Sequence, residues 1–341
     1  MAKITEYEGR NWKLFNADCI EGMAQMPESS VDAAVFSSPF SNLYIYSESE
    51  RDLGNATDHE EFLKHFQFFT DALFRVMKPG TVICDHLKDL AVYQGSSETG
   101  ESGILPFSDW AISAYRKSGF VMRSRVTIRT DPVLEQAKTK PERLLYKNVG
   151  ENSRVSAPGM PEYVIVMRKS SRGIKEGEPV KHAIAKWGDE RFKKDGERLS
   201  KKAAERLLKN GMVDAISQDL LDFLVEEIGF PLDQWRAWAE PVWMNSNNTG
   251  VLNSRFKGSS RDEKHICPMP LDLINRCLTL YSAPGDIVLD PFSGIGSTGY
   301  KAVQMARKFI GFELKPEYAA KAAKYIAEAE VAQMDLFGAG L

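Results

Sequence analysis

A stretch near the carboxyl end of the chain, residues 289–298, combines a carboxylate, hydroxyls and glycines in the order Leu-Asp-Pro-Phe-Ser-Gly-Ile-Gly-Ser-Thr. Gly294 and Gly296 allow the backbone to approach a ligand closely, and the helix expected next would favour a carboxylate or phosphate at its N-terminus. Glu313 lies 23 positions after Asp290, close to the spacing at which an acid meets ribose hydroxyls. An isolated Gly-x-Gly is often only a tight turn, but the two carboxylates favour a nucleoside-bearing cofactor.

A second candidate site follows an apolar strand predicted at residues 31–36, where the chain continues as Ser37-Ser38-Pro39-Phe40. Ligands of open α/β sheets gather at the carboxyl ends of strands. One chemistry that acceptors at this position would suit is methyl transfer to an exocyclic amine of a base. Such an amine is a poor nucleophile because its lone pair is delocalised into the ring. Acceptors at its two N–H groups favour the pyramidal form that can attack a methyl group. Ser37 Oγ and the Ser38 carbonyl could supply these acceptors, while Phe40 could stack on a base that has left the duplex. A plain strand-ending turn is the alternative.

Both stretches resemble signatures of the DNA amino-methyltransferases, which methylate adenine N6 or cytosine N4. The first resembles their S-adenosyl-L-methionine loop. The second resembles their Asp, Asn or Ser followed by Pro-Pro and an aromatic residue, with Ser38 in place of the first proline. The catalytic motif precedes the cofactor motif, as in the permuted class often called β. A serine at the first position, as at Ser37, resembles the N4-cytosine group, so we expect cytosine N4 slightly in preference to adenine N6.

The resemblance implies a role for each site residue. Asp18 would contact the adenine moiety, Glu313 the ribose hydroxyls, and Asp290 with the following loop the methionine end. His265 lies in an element that precedes the cofactor loop in the family, and a local capping role is the alternative. We expect the cofactor to be bound by Asp18, His265, Asp290, Pro291, Phe292, Ser293, Gly294, Gly296, Ser297, Thr298 and Glu313, and catalysis to involve Ser37, Ser38, Pro39 and Phe40.

The elements that would position these residues alternate between strands and helices, which is typical of an α/β fold. The patterns predict strands at 12–18, 31–36, 81–85, 120–130, 162–168 and 309–313, and a turn followed by a short buried strand within 285–289. They predict helices at 20–25, 59–77, 108–118, 271–281, 299–308 and 316–331. The apolar residues of the second helix have core spacing: Phe62, Phe66, Phe69, Leu73 and Val76. The resemblance implies a Rossmann-like, seven-stranded methyltransferase sheet whose last strand is antiparallel, with an inserted, mainly helical target-recognition region.

The middle of the chain is basic although the protein as a whole is slightly acidic. Residues 116–209 carry 24 Lys and Arg against 12 Asp and Glu, whereas the remainder carries 20 against 35. This asymmetry indicates a polyanion partner, and a solvated helical surface is the alternative. We expect double-stranded DNA to contact Tyr44, Tyr46, Lys193, Lys194, Lys201 and Lys202.

The organisation predicted from these patterns has four parts. Residues 1–169 form the catalytic half of a methyltransferase domain, 170–260 the inserted region, 261–333 the cofactor-binding half and 334–341 a tail. The insertion contains two further predicted helices, at 200–210 and 214–228. A helix-turn-helix or a scaffold hairpin could account for that pair.

Composition and cysteine usage argue against a membrane protein, a secreted disulfide-bonded protein and a metalloprotein. The chain has 341 residues, 43% of them hydrophobic and 27% charged, which is ordinary for a globular protein. Without an apolar run of about 18 residues or a signal-peptide pattern, a cytoplasmic protein of bacterial or phage type is expected, with no membrane partner. The cysteines are widely spaced and predicted to be reduced, and no metal site is expected: Cys19, Cys84, Cys267 and Cys277. The sequence is compatible with a monomer or a homodimer.

Two other functional classes stay open at this stage. An Asn-Pro-Pro-Tyr version of the catalytic motif serves glutamine side chains, so an RNA or protein-amide methyltransferase is one alternative. The permuted order and the basic insertion argue against it. A DNA-binding relative that has lost turnover is the other, because Ser38 departs from the family pattern. A DNA methyltransferase of the restriction-modification type is the reading favoured over both.

Overall fold

A computed structural model describes residues 5–39, 56, 58–93, 95, 100–132, 159–170, 232–252 and 268–338. The chain divides into two compact units. The larger comprises residues 1–178 and 241–341, and the smaller comprises residues 179–240. The smaller unit falls inside the predicted insertion, while residues 241–252 belong to the larger unit.

The larger unit is built on a nine-stranded sheet. Its strands are β1 (Thr5–Glu8), β2 (Trp12–Asn16), β3 (Val31–Phe36), β4 (Met77–Lys88), β7 (Phe120–Ile128), β8 (Glu162–Lys169), β9 (Val242–Trp243), β10 (Ile287–Asp290) and β11 (Lys308–Glu313). Their spatial order is β1-β2-β11-β10-β3-β4-β8-β7-β9. A separate two-stranded sheet pairs β5 (Leu90–Val92) with β6 (Gly103–Leu105).

The seven central strands confirm the predicted methyltransferase sheet. From β2 to β4 the pairings are parallel, and β8 lies antiparallel to both of its neighbours, β4 and β7. The sheet closes by pairing the N-terminal strand β2 with the C-terminal strand β11. Two short strands that the patterns did not predict extend its edges, β1 and β9.

Six of the seven helices that the structure describes match the predicted positions closely, and the one at Leu232–Ala239 was not predicted. The helices are α1 (Cys19–Gln25), α2 (His59–Val76), α3 (Phe107–Lys117), α4 (Leu232–Ala239), α5 (Leu271–Tyr281), α6 (Ser297–Gln304) and α7 (Pro316–Gly338). Helix α4 belongs to the smaller unit and the others to the larger one. None of the helices among the described residues is long and apolar enough to cross a membrane.

The buried face of α2 forms the centre of the core. All five apolar residues predicted from its periodicity are fully buried: Phe62, Phe66, Phe69, Leu73 and Val76. Burial of each such side chain contributes about 1.5–3 kcal/mol of transfer free energy. The ring of Phe69 also lies 4.8 Å from that of Phe292 in the candidate cofactor loop, measured between centroids. The helix therefore supports the site as well as the core.

Three predicted boundaries are wrong. Lys78-Pro79-Gly80 does not separate a helix from a strand, because α2 ends at Val76 and β4 begins at once. The register of β4 against β3 shifts after Met77, so this irregularity absorbs the proline and glycine. The segment 86–103, where the patterns predicted no strand or helix, contains the end of β4 and strand β5. Helix α7 continues to Gly338, into the segment predicted as a tail.

The structure describes three of the four cysteines and only part of the predicted insertion. Cys19, Cys84 and Cys277 are free and buried, as expected, and Cys267 lies outside the described residues. The helices predicted at 200–210 and 214–228 also lie outside them.

The contact between α1 and β11 generates the first prediction. A Cβ on Gly22 would lie 2.1 Å from Cε1 of the buried Phe312 ring. Gly22→Ala should lower the unfolding free energy by about 1–3 kcal/mol through overpacking, although alanine favours a helix over glycine by about 1 kcal/mol. Gly103→Ala is the control, because a Cβ there meets nothing within 4 Å. Denaturant unfolding that finds Gly22→Ala as stable as the wild type would refute this packing argument.

Candidate cofactor and catalytic site

The pairing of β3 with β10 brings the two candidate motifs to one edge of the sheet. The strands are parallel neighbours, with Val288 opposite Ala33 and Leu289 opposite Ala34. The tetrapeptide that begins at Ser37 and the loop 291–296 therefore both follow carboxyl ends of adjacent strands. The rings of Phe36 and Phe292 are 6.1 Å apart between centroids. The two motifs thus meet although they lie far apart in the sequence.

The glycines of the loop serve different purposes. Gly296 has φ +88° and is so close to α7 that a Cβ would lie 2.9 Å from Ala322 Cβ. Gly294 has φ +50°, yet a Cβ there would meet nothing within 4 Å. The left-handed conformation favours glycine at both positions. The open space beside Gly294 leaves room for a ligand against the backbone.

Glu313 closes this loop from the neighbouring strand. Its Oε2 accepts a hydrogen bond from the Gly294 N–H at 2.8 Å, and its Oε1 accepts one from the Lys315 N–H at 2.8 Å. The Asn16 side-chain amide donates to the carbonyls of Glu313 and Leu314, both at 2.9 Å. The acid predicted to bind ribose therefore lies beside the glycine loop, where it also orders the backbone.

Asp18 lies two residues beyond the end of β2, the strand beside β11. One oxygen, Oδ1, caps α1 by accepting from the N–H groups of Ile20 and Glu21, both at 2.9 Å. This is the usual task of an aspartate at a helix N-cap. The cap orients the side chain at the carboxyl edge of the sheet. Oδ2 has no hydrogen-bond partner among the residues that the structure describes.

The N-terminus of α6 offers a polar group that the described part of the protein does not satisfy. Ser297 is buried, and its Oγ has no hydrogen-bond partner among the described residues. Buried hydroxyls are normally hydrogen-bonded, and a helix N-terminus attracts anions. An orphaned hydroxyl at this position fits a ligand carboxylate. Together with Glu313 and the space beside Gly294, it fits a cofactor that has both a ribose and an amino-acid carboxylate.

Asp290, at the end of β10, is a buried carboxyl. Burial raises its pKa from 3.8 to about 7, and the nearby charge of Asp85 contributes in the same direction. Hydrogen bonds from the Phe292 N–H, at 2.9 Å, and from the Thr298 hydroxyl oppose this rise. The carboxyl thus fixes the start of the loop at the cost of keeping a titratable group out of water.

The catalytic candidate Ser37 is half-buried, and the hydrogen-bond direction of its hydroxyl is defined. Ser37 Oγ donates to the carbonyl of His86 at 2.8 Å. His86 is buried, and its Nε2 lies 3.0 Å from Glu162 Oε2. Because the proton of the Ser37 hydroxyl is directed to a carbonyl, the lone pairs of its oxygen remain available to accept.

Ser38 is held by a buried carboxylate. Asp85 Oδ1 accepts from the Ser38 N–H at 3.0 Å, and Oδ2 accepts from Ser38 Oγ at 2.8 Å and from Tyr115 Oη at 2.8 Å. Burial raises the pKa of Asp85 from 3.8 to about 6, although the three donors counteract the rise.

Sequence reasoning did not find five residues of this environment: Asn16, Asp85, His86, Tyr115 and Glu162. An available signal was the position of Asp85, a carboxylate directly after the apolar residues Val82-Ile83-Cys84 of a predicted strand. Other predicted residues lie outside the described part of the chain: Phe40, Tyr44, Tyr46, Lys193, Lys194, Lys201, Lys202 and His265. Among the described residues, no group of three or more His, Cys, Asp or Glu could hold a metal ion.

The sheet order, the glycine loop after β10 and the acid at the end of β11 define a Rossmann-like methyltransferase domain. The DNA methylase family (N6_N4_Mtase) matches residues 31–324, and the chain belongs to this family. The resemblance recognised in the two motifs is therefore confirmed. The family uses S-adenosyl-L-methionine, which confirms the predicted cofactor.

Curated relatives match over short segments. The type II methyltransferase M.Cfr9I of Citrobacter freundii is 44% identical over 54 residues, which are 16% of this chain and 18% of that protein. The DNA adenine methyltransferase YhdJ of Escherichia coli (strain K12) is 48% identical over 56 residues, 16% of this chain and 19% of that protein. The chain thus matches less than a fifth of the length of either relative.

Solved structures match over nearly the whole chain. TTHA0409 of Thermus thermophilus, complexed with S-adenosyl-L-methionine, has a TM-score of 0.54 and 22% identity, covering 92% of this chain and 94% of that one. The cytosine-N4-specific PvuII DNA methyltransferase has a TM-score of 0.54 and 16% identity, covering 96% and 94%. These likenesses establish the fold.

The buried Asp290 generates the second prediction. Its folded pKa of about 7 exceeds the ordinary 3.8, so the folded protein retains a proton that the unfolded chain releases. The unfolding free energy should therefore fall as pH rises from about 4 to about 7. Asp290→Asn removes the buried charge and should stabilise the protein by about 1–3 kcal/mol at pH 8, with little gain at pH 5. Thermal unfolding at both pH values measures this, and an equal effect at the two would contradict the assignment.

Proposed function

We propose that this protein transfers the methyl group of S-adenosyl-L-methionine to an exocyclic amino group of a base in double-stranded DNA, and that the amine is cytosine N4. Membership of the DNA methylase family supports the class of reaction. The observation that carries the proposal is the hydrogen bond from Ser37 to the His86 carbonyl at the edge where the cofactor loop begins.

The hydrogen bond makes the Ser37 side chain an acceptor. A hydroxyl whose proton is committed to a carbonyl presents its lone pairs to whatever approaches from the other side. An amine N–H that donates to Ser37 Oγ, with its second N–H on the Ser38 carbonyl, would be held towards the pyramidal form. The amine lone pair then points out of the conjugated ring and can attack a methyl group. The side chain contributes orientation and needs no proton transfer of its own.

The cofactor half of the site needs three kinds of contact, and the chain offers a residue for each. Glu313 would accept from the ribose hydroxyls, Ser297 would donate to the carboxylate at the N-terminus of α6, and Asp18 Oδ2 would face the adenine. The chemistry that the bound cofactor supplies is an electrophilic methyl group on a sulfonium sulfur. The residues around it provide in-line positioning, and the amine releases its proton to water after transfer.

The proposed DNA partner rests on family membership and on charge. The excess of Lys and Arg between residues 116 and 209 suits contacts with phosphates, which dominate the affinity of such complexes. We assign the segment 170–260 to target recognition. Within it, Lys193, Lys194, Lys201 and Lys202 are proposed to contact the DNA backbone. Tyr44 and Tyr46, which follow the tetrapeptide in the sequence, are proposed to contact the flipped base or the backbone.

The choice of cytosine depends on Ser37. The names of the relatives include both an adenine methyltransferase and a cytosine-N4-specific one, so they support either base. An aspartate at the first motif position is typical of N6-adenine enzymes, whereas a serine resembles the N4-cytosine group. The position is occupied here by serine, which favours cytosine.

The third prediction tests the reaction itself. Purified protein with S-adenosyl-L-methionine labelled at the methyl group should transfer label to duplex DNA and not to RNA or protein. Digestion of the DNA to nucleosides should yield N4-methylcytosine. N6-methyladenine alone would reassign the base and keep the reaction class, while label on RNA or protein alone would overturn the DNA assignment. Absence of transfer to all three would overturn the proposed function.

The fourth prediction tests the acceptor role. Ser37→Ala should lower turnover roughly 100-fold, by analogy with the loss of one preorganised hydrogen-bond partner. Cofactor affinity measured by calorimetry should stay unchanged.

Ser30→Ala is the matched control, since Ser30 lies at the opposite end of β3 and its hydroxyl also donates to a backbone carbonyl, that of Pro27 at 2.8 Å. Turnover of Ser37→Ala close to that of the wild type would remove Ser37 from the mechanism.

A further inference from the structure

Ser38 is bound to Asp85 through its main chain and its side chain at once. The Ser38 N–H donates to Asp85 Oδ1 at 3.0 Å, and the Ser38 hydroxyl donates to Oδ2 at 2.8 Å. Asp85 is fully buried and Ser38 is 2% exposed. Hydrogen bonds to a charged, buried acceptor are stronger than neutral ones, so this contact restrains Ser38 firmly.

A proline at position 38 could not make either bond. Proline has no N–H to donate and no hydroxyl, and its ring fixes φ covalently. A serine leaves φ free unless something else restrains it. Here two hydrogen bonds to one carboxylate, from the main-chain N–H and from the hydroxyl, restrain Ser38. The following residue, Pro39, also restricts the backbone conformation of Ser38.

The carboxylate is itself held in place. Asp85 pairs with Phe36 in the register between β3 and β4, directly beside the start of the tetrapeptide. Tyr115 donates its hydroxyl to Asp85 Oδ2, and its ring is fully buried, 5.7 Å from Phe66 and 5.8 Å from Phe120 between centroids. Asp85 is therefore anchored in the sheet and by α3, independently of Ser38.

We propose that Asp85 is a positioning residue that replaces the missing proline ring: by binding Ser38 at two points, it fixes the direction of the Ser38 carbonyl, the second acceptor for the amine. This inference rests on the proposed function, since the carbonyl matters only if an amine is methylated there. It also accounts for Ser38 as a working alternative to proline. In this reading the departure from the family pattern is no sign of lost activity.

The inference predicts that a proline ring and Asp85 can substitute for each other. Asp85→Asn should lower kcat about 10-fold or more, because the amide nitrogen cannot accept a hydrogen bond. Ser38→Pro alone should also lower kcat, because it leaves the buried carboxylate with two donors fewer. The double variant Asp85→Asn/Ser38→Pro has a restrained φ and no buried charge, so its kcat should recover to within about 3-fold of the wild type. Coupling of this kind is measured by a double-mutant cycle.

Two further measurements separate positioning from general damage to the fold. The affinity for S-adenosyl-L-methionine should stay within about 2-fold in all variants, which calorimetry tests. Thermal unfolding without cofactor should show the same non-additive coupling between positions 38 and 85. Ser282→Ala is the control for a buried hydrogen-bonded serine outside the site. Ser282 precedes β10, at the end of that strand opposite to the cofactor loop, and its Oγ donates to the Leu278 carbonyl at 2.6 Å and accepts from Arg307 Nε at 3.1 Å. This substitution should lower the melting temperature and leave kcat unchanged.

Every outcome of these experiments either supports or overturns the positioning role of Asp85. Normal kcat in folded Asp85→Asn, or a double variant no better than the worse single one, overturns the inference and leaves the methyltransferase function standing. If Asp85→Asn does not fold, Ser38→Ala decides, since it removes only the side-chain bond: a loss of about 3-fold or more in kcat supports the role, and unchanged kcat overturns it. A wild-type protein that methylates no polymer overturns the proposed function, and this inference with it.

Discussion

The site depends on the parallel pairing of β3 with β10, which joins the two ends of the chain. Asp32 fixes this pairing where the strands begin. One of its oxygens accepts from the Ile287 N–H at 3.0 Å, 255 positions away, and the other accepts from Lys78 Nζ at 2.5 Å. A single side chain thereby ties β3 to β10 and to the start of β4. The catalytic motif and the cofactor loop can meet at the opposite edge because this register is set.

The same edge concentrates groups that weaken the fold. Asp85 and Asp290 are buried carboxyls whose pKa values burial raises, and Ser297 has a buried hydroxyl without a partner among the described residues. Polar groups in such surroundings lower stability unless they are fully satisfied. A protein tolerates them where they orient a ligand or a reacting group. Asp85 and Asp290 lie near the carboxyl ends of β4 and β10, and Ser297 begins α6 directly after the loop, so these groups share the edge that carries both candidate motifs.

Most of the fold was predictable from local patterns. The predicted elements that fall among the described residues overlap the observed ones because the central strands are short apolar runs and the helices carry apolar residues at helical spacing. The buried face of α2 is an example: its five core residues follow from periodicity alone. The edge strands β1 and β9 were missed because they depend on hydrogen bonds to a neighbour and have only a short pattern of their own. The boundary at Lys78-Pro79-Gly80 failed for a similar reason, since the register shift in β4 accommodates residues that usually end an element.

The sequence by itself determined the family, the cofactor and the order of the two motifs, because residue type and spacing within each motif carry that information. The position of Glu313 relative to Asp290 is of this kind, since a strand, a loop and a helix of known rise separate them. The tertiary structure alone decided what Ser37 and Ser38 bind. Ser37 donates to His86 and Ser38 to Asp85, partners nearly 50 positions away along the chain. Those contacts arise from the register of β3 against β4 and from the packing of α3, and no local pattern in the chain encodes a hydrogen bond between residues that only folding brings together.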